Sequence, residues 1–242
     1  KELAREGLLR THPGKGRFVT GPDARPRTWT LGVLLFDMDH LVHPVMSQRL
    51  AGISQVAAAA GYHLNILALN GSPAESTAAD CEPPDLRWLL DSAAIDGAIL
   101  LAQETAIESV SALAREVPTV WMDAPAIGEN VVSVGLDYLG GGFAAAKHLI
   151  ELGHRRIALA APDSDRYWIA HQQYEGVRLA AQHAGKGAPV EVVRLQLDAY
   201  SAEGGERAAC ELLSVSAATA IICGSDEIAL GCYHALAAAG HR

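Results

Sequence analysis

The sequence predicts an α/β protein of two doubly wound lobes, each on a parallel sheet, with a short β-hairpin before them. Continuous apolar stretches such as Leu31–Phe36 alternate with helical patterns, which is typical of strands covered on both faces. The alternation starts again near Val131, and a turn at Pro13–Gly16 separates two short strand patterns at the front. We therefore expect two similar lobes with a cleft between them.

The hairpin is predicted from strand patterns at Leu8–Thr11 and Arg17–Thr20, because the glycines between them allow the positive φ of a tight turn. Its tip is thin and cationic, a shape that suits a phosphate backbone. An ordinary surface hairpin with solvated charges is the alternative. The hairpin region is assigned to residues 1–20, and the proline-containing residues 21–28 are predicted to be a linker.

The first lobe is predicted over residues 29–136, where fully apolar strands alternate with helices. Gly61 is suited to end the first of these helices, since glycine adopts the left-handed conformation without cost. The predicted strands are Leu31–Phe36, His63–Leu69, Gly97–Ala102 and Thr119–Met122. The predicted helices are Val45–Ala60, Asp85–Ser92 and Glu108–Glu116.

The second lobe is predicted over residues 137–242, after the pattern starts again with the strand Val131–Leu136. Gly153 and Gly240 end two of its helices, and Ser201 is a favourable N-cap. The further strands are predicted at Ile157–Ala161, Val190–Leu195 and Ala220–Cys223. The helices are predicted at Gly140–Leu152, Ile169–Ala184, Ser201–Leu213 and Ile228–Ala239.

The charge of the chain is divided unevenly. The net charge is −9, but residues 1–28 hold seven Lys/Arg against three Asp/Glu and the remainder holds twelve against twenty-five. The front therefore suits a polyanion and the body repels one. The four cysteines lack metal spacing, and no pair of histidines has i, i+4 spacing with a carboxylate as third ligand, so we expect no metal and no cofactor. The longest apolar runs are too short to span a membrane.

Catalytic patterns are missing from the sequence. The glycines at 140–142 precede a helix but lack the Lys-Ser/Thr pair of a phosphate loop. No GxSxG elbow occurs, and nothing in the sequence separates the pKa values of the paired Asp37 and Asp39. The chain is therefore predicted not to be an enzyme.

Two stretches at the front carry a first resemblance. Leu3–Arg10 and Gly14–Val19 resemble the end of the recognition helix and the wing of a GntR-type winged helix-turn-helix. The resemblance implies that the chain begins inside that helix. It also implies DNA contacts by Arg10, Lys15 and Arg17.

Residues 30–242 resemble the LacI/GalR repressor effector domain, which is similar to periplasmic sugar-binding proteins of type I. The segments that carry the resemblance are Leu31–Leu35 with Pro44 and Gly52, Ile95–Leu100, Ser133–Asp137 with Lys147–Leu159, and Ala218–Gly231. The resemblance implies a cytoplasmic bacterial regulator, a homodimer, that binds operator DNA and a small effector. It also implies that the second lobe is incomplete at residue 242.

Effector contacts are carried over from the family by position. The positions are His43, Met46, Gln103, Asp123, Tyr167, Gln173, Tyr200 and Asp226. Asp226 could equally be the N-cap of the last helix, and Tyr200 either a stacking platform or a lid over the core. Gln173 stands where the family often has arginine, so a neutral sugar or polyol fits better than a phosphate or carboxylate.

Two other functions use the same fold. A solute-binding receptor of a transport system would share the lobes without binding DNA, and the basic front argues against it. A small-molecule enzyme on a doubly wound fold is the third hypothesis. Residues upstream of the chain would distinguish a regulator, with three helices, from a receptor, with an export signal.

Overall fold

The chain divides into two compact units, residues 1–134 and 135–242. The structure, a computed structural model, describes residues 9–12, 16–19, 27–35, 44–68, 94–101, 107–125, 127–128, 130–162, 167–184, 189–215 and 218–241. The sequence placed the division two residues later, at 136. Among the described residues, no helix has both the length and the apolarity that a membrane crossing requires.

The predicted hairpin is present at the front of the first unit. Strand β1 spans Leu9–His12 and strand β2 spans Gly16–Val19. They pair antiparallel, with Leu9 opposite Val19. Each strand is shifted by one residue from its predicted bounds, and Lys15 lies outside the described residues.

A parallel sheet of five strands organises the rest of the first unit, and the predicted fold class is confirmed. Its strands, β3 to β7, are Thr30–Leu35, His63–Ala68, Gly97–Leu100, Thr119–Met122 and Val131–Val134. They lie in the order β4-β3-β5-β6-β7. The described helices are α1, Pro44–Ala59, and α2, Ile107–Ala114. The predicted helix Asp85–Ser92 lies outside the described residues.

Strand β7 corrects the predicted repeat. The sequence places Val131–Leu136 at the start of the second round of the pattern, but β7 pairs with β6 and completes the first sheet. It is also shorter than predicted, ending at Val134. The cause is packing: Val131 is buried in the same core as Leu34 and Trp121, which periodicity alone does not show.

The second unit is a three-stranded parallel sheet with helices on both faces. Its elements in order are α3 Tyr138–Glu151, β8 Arg156–Pro162, α4 Trp168–Ala184, β9 Glu191–Leu197, α5 Ala202–Val215, β10 Ala220–Cys223 and α6 Asp226–Ala238. The strand order is β10-β8-β9. The helices cover both faces because alternate residues of the central strand β8 belong to two different cores. Leu159 and Ala161 pack in the core that includes α4, and Ala158 and Ala160 pack in the core that includes α5 and α6.

Glycines bring these helices together in pairs. A Cβ built on Gly176 of α4 would lie 2.7 Å from the backbone nitrogen of Phe143 on α3, and one on Gly231 of α6 would lie 2.7 Å from the carbonyl carbon of Ala202 on α5. Gly142 and Gly205 are equally crowded by backbone atoms of the facing helix. Both helix pairs therefore pack backbone against backbone, which only glycine permits.

Candidate functional site

Ligands of open parallel sheets bind at the carboxyl ends of the strands. In the first unit the described residues at this edge are Leu101 and Asp123, which follow β5 and β6. In the second unit they are Asp198 to Tyr200 after β9 and Gly224 to Asp226 after β10. His43 and Gln103, two predicted effector contacts, lie outside the described residues.

Asp123 is held by the first unit itself. Its side chain is 2% exposed and forms an ion pair with Arg49 of α1, and its N–H donates to Val134 O at 2.8 Å. Its φ is +52°, a left-handed conformation that is uncommon outside glycine and often marks a functional position. The carboxylate is thus engaged with Arg49, and the guanidinium is held at the edge of the sheet. Sequence reasoning missed Arg49, although it is the one charged residue of α1.

Met46 belongs to the core of the first unit. It is 7% exposed and clusters with Val33, Leu35 and Leu101. Its side chain therefore stabilises the packing of α1 on the sheet. Contact with an effector stays a prediction for this residue.

Gln173 of α4 presents a fixed acceptor at the edge of the second sheet. Its Nε2 donates to Gly224 O at 3.0 Å, and a carbonyl oxygen can only accept, so the orientation of the amide is determined. Its Oε1 is buried and has no hydrogen-bond partner within the described part of the chain. A Cβ built on Gly224 would lie 3.2 Å from Oε1, so a larger residue at 224 would crowd this oxygen.

Tyr167 and Tyr200 lie at the same edge of the second unit. Their rings meet edge to face, with centroids 6.0 Å apart, and Tyr167 Oη donates to Asp198 O at 3.4 Å. Tyr200 also packs on the core that contains Leu197, so it covers the core as well as offering a ring. Its Oη is buried without a partner among the described residues, and burial raises the pKa of this phenol.

Asp226 is exposed and is the first residue of α6, not its N-cap. Ser225 caps the helix: its backbone is extended, with φ −151°, and its Oγ accepts from Ile228 N at 3.3 Å. The capping alternative for Asp226 is therefore wrong, because the chain enters the helix one residue earlier. The Asp226 carboxylate still lies in the first turn, where negative charge is stabilised by the helix dipole.

The capping assignment predicts that substitution of Ser225 destabilises the protein more than substitution of the adjacent Asp226. Ser225→Ala is expected to lower the free energy of unfolding by about 1 kcal/mol, because it removes the acceptor for Ile228 N–H. Asp226→Ala should cost no more than about 0.5 kcal/mol, the usual effect of an exposed charge near a helix start. Urea denaturation of both variants measures the difference, and a larger loss for Asp226→Ala would contradict it.

Two of the three free cysteines of the second unit, Cys223 and Cys232, lie next to each other. Hydrogen bonding to Cys232 and burial raise the pKa of the Cys223 thiol, and Cys232 Sγ donates to Gly205 O at 3.2 Å. Among the described residues, no group of three or more His, Cys, Asp or Glu could hold a metal ion.

The parallel-sheet fold agrees with one protein family. Residues 28–242 match the family described as periplasmic binding proteins and the sugar-binding domain of the LacI family. The chain belongs to this family. The match begins at residue 28, so the winged-helix interpretation of residues 1–20 stays a prediction.

Two curated relatives of this LacI-type domain are operon repressors. The ribose operon repressor of Escherichia coli K12 is 31% identical over 220 residues, covering 87% of this chain and 61% of the repressor. The ribose operon repressor of Haemophilus influenzae is 28% identical over 217 residues, covering 89% and 61%. The chain thus spans about 61% of the length of these relatives.

A solved structure supports the same assignment of the LacI-type domain. A LacI family transcriptional regulator from Enterococcus faecium, solved with bound ribose, superposes with a TM-score of 0.69 at 25% identity. The superposition covers 88% of this chain and 73% of that one.

Proposed function

We propose that the chain is the effector-binding part of a transcriptional regulator, and that its effector is a neutral sugar or polyol. The observation that supports this most is the pair of buried polar atoms without described partners, Gln173 Oε1 and Tyr200 Oη, at the carboxyl edge of the second sheet. Buried polar atoms are nearly always hydrogen-bonded. Hydroxyl groups of a bound ligand would supply the missing partners.

The charges at this edge favour a neutral ligand. Gln173 offers an oxygen acceptor where the family often has a cationic fork, and a sugar hydroxyl can donate to it. Arg207 of α5 pairs with Asp198, which follows β9, at 3.2 Å. The exposed carboxylate of Asp226 would accept hydroxyls and repel a phosphate. The rings of Tyr167 and Tyr200 suit the apolar face of a sugar.

The first unit contributes less directly in this proposal. Asp123 acts through the guanidinium of Arg49, which it holds, and Met46 supports the packing of α1. His43 and Gln103 complete the predicted set of contacts.

We propose that the regulator binds operator DNA through a winged helix at its front, as a homodimer in the cytoplasm. Arg10, Lys15 and Arg17 would contact phosphates or the minor groove, and the positive front of the chain favours this over a transport receptor. The names of the ribose repressors point to the same activity. By linkage, the effector must bind one DNA-binding state more tightly than the other. Regulation, and no catalysis, is the proposed activity.

A thermal-shift screen of D-ribose, other neutral sugars, polyols and their phosphate esters tests the effector. A ligand that binds only the folded chain raises its melting temperature; the stabilisation is about 2.7 kcal/mol at a concentration of 100 times Kd. We expect at least one neutral sugar or polyol to raise it, and its phosphate ester to raise it less. Stabilisation by phosphate esters alone would contradict the proposal.

A further inference from the structure

Three hydrogen bonds converge on the carboxylate of Asp96, which directly precedes β5. Thr28 N and Thr28 Oγ1 donate to Asp96 Oδ1 at 2.8 and 3.0 Å, and Trp29 N donates to Asp96 Oδ2 at 2.9 Å. Both carboxylate oxygens are therefore occupied by the two residues at which the chain enters the first sheet. Bonds to an ionised acceptor are stronger than those between neutral groups.

Trp29 is held in a conformation that it would not adopt alone. Its φ is +57°, in the left-handed region that is unfavourable for a bulky side chain. Its ring packs on Tyr62, with centroids 5.3 Å apart, and the guanidinium of Arg27 lies 5.4 Å from its centroid. A strained backbone conformation persists only where neighbouring residues stabilise it. Tyr62 and Arg27 both contact the Trp29 ring, so Arg27 is part of the structure that stabilises Trp29.

The same residues join the amino ends of three neighbouring strands. Asp96 N donates to Thr30 O at 2.8 Å, and His63 N donates to Trp29 O at 2.8 Å. The clamp, defined as Thr28, Trp29 and Asp96, thus binds the starts of β3, β4 and β5. It lies at the edge of the first sheet opposite the carboxyl ends.

We propose that Asp96 is a positioning residue that makes the entry to the first sheet, Thr28 and Trp29, a rigid joint. A flexible linker would average over directions and transmit little. A rigid joint lets a change in the effector domain reach the segment before it. Transmission of a change through the joint rests on the proposed function, whereas the rigidity of the joint does not.

Amide hydrogen exchange in the 242-residue chain tests the joint directly. The N–H groups of Thr28 and Trp29 are expected to exchange slowly in the wild type, and Asp96→Ala should accelerate both by at least about tenfold. Asp96→Asn is the more informative variant, because its amide offers one acceptor oxygen. At most one of the two N–H groups should then stay protected, and equal protection of both in Asp96→Asn and wild type would overturn the proposal.

Limited trypsin digestion tests the consequence of the joint. Arg25 is followed by proline, so Arg27–Thr28 is the cleavable bond nearest the clamp. Asp96→Ala should raise cleavage there by at least about tenfold, relative to cleavage after Lys15 in the same sample. The fragment that begins at Thr28 is identified by its mass.

Asp137→Ala is the matched control, because Asp137 also accepts from a backbone N–H, that of Gly140 at 2.8 Å, but in the second unit. It should leave cleavage at Arg27 unchanged, and if Asp96→Ala is too unstable to purify, Asp96→Asn takes its place. A wild type cut at Arg27 as fast as after Lys15 would overturn the rigid joint. So would equal rates at Arg27 in the Asp96 variant and wild type. Neither outcome depends on DNA or effector binding.

Discussion

Gly142→Ala is expected to destabilise the protein while the adjacent Gly141→Ala stabilises it. A Cβ on Gly142 would lie 3.1 Å from the Cα and the carbonyl carbon of Gln173, and close to its oxygen, and these backbone atoms of α4 cannot turn away. Overpacking of this kind lowers the free energy of unfolding by about 2–3 kcal/mol. A Cβ on Gly141 meets nothing within 4 Å, and alanine gains about 0.5–1 kcal/mol over glycine inside a helix.

Urea denaturation followed by circular dichroism measures both variants against the wild type. The pair is internally controlled, because the substitutions are identical and lie side by side on α3. Opposite signs are expected. If both variants were stabilised, α3 and α4 would not pack through their backbones as described.

Tyr200→Phe is expected to strengthen the ligand-free protein and weaken effector binding. Removing a buried hydroxyl without a described partner should raise the free energy of unfolding by about 1 kcal/mol. If an effector hydroxyl pairs with Tyr200 Oη, the same change should raise the effector's Kd about tenfold, which corresponds to about 1.4 kcal/mol. A substitution that raises stability but weakens binding is typical of a group that serves binding rather than folding.

The comparison needs the neutral sugar or polyol that stabilises the wild type most, titrated by calorimetry into wild type and variant. Tyr233→Phe is the matched control, since Tyr233 is 70% exposed on α6 and should change neither quantity. A Tyr200→Phe variant that is less stable without ligand would show that the hydroxyl is satisfied within the protein. An unchanged Kd would remove Tyr200 Oη from the site.

The fold could be predicted from the sequence because burial on both faces leaves an unbroken apolar pattern. Strand β8 shows this most clearly: all of Ile157 to Pro162 is buried, and helices cover both of its faces. The position of β7 could not be predicted, since the choice between two sheets depends on long-range packing of Val131. Close helix packing was also missed, because glycine in a helix pattern suggests only a loose turn.

The location of the candidate site at the carboxyl ends of the strands could be predicted from the sequence, whereas most of the side-chain contacts within it could not. Asp123, Tyr200 and Asp226 were carried over from the family by position, and each of them follows a described strand. Arg49 was missed because its partner lies far along the chain, and Ser225 because both it and Asp226 are good capping residues. The fixed orientation of the Gln173 amide depends on a carbonyl 51 residues away, which no local pattern shows.

The central claim, that this LacI-type domain binds a neutral sugar or polyol, is tested most directly by calorimetric titration of the wild-type chain. The two ligands are the neutral compound that stabilises it most and the phosphate ester of that compound. We predict one-to-one binding of the neutral compound and binding at least about tenfold weaker for the ester, because in the second unit its charge would meet the neutral amide of Gln173 and the carboxylate of Asp226. Tighter binding of the ester, or no heat from any neutral sugar or polyol, would contradict the account.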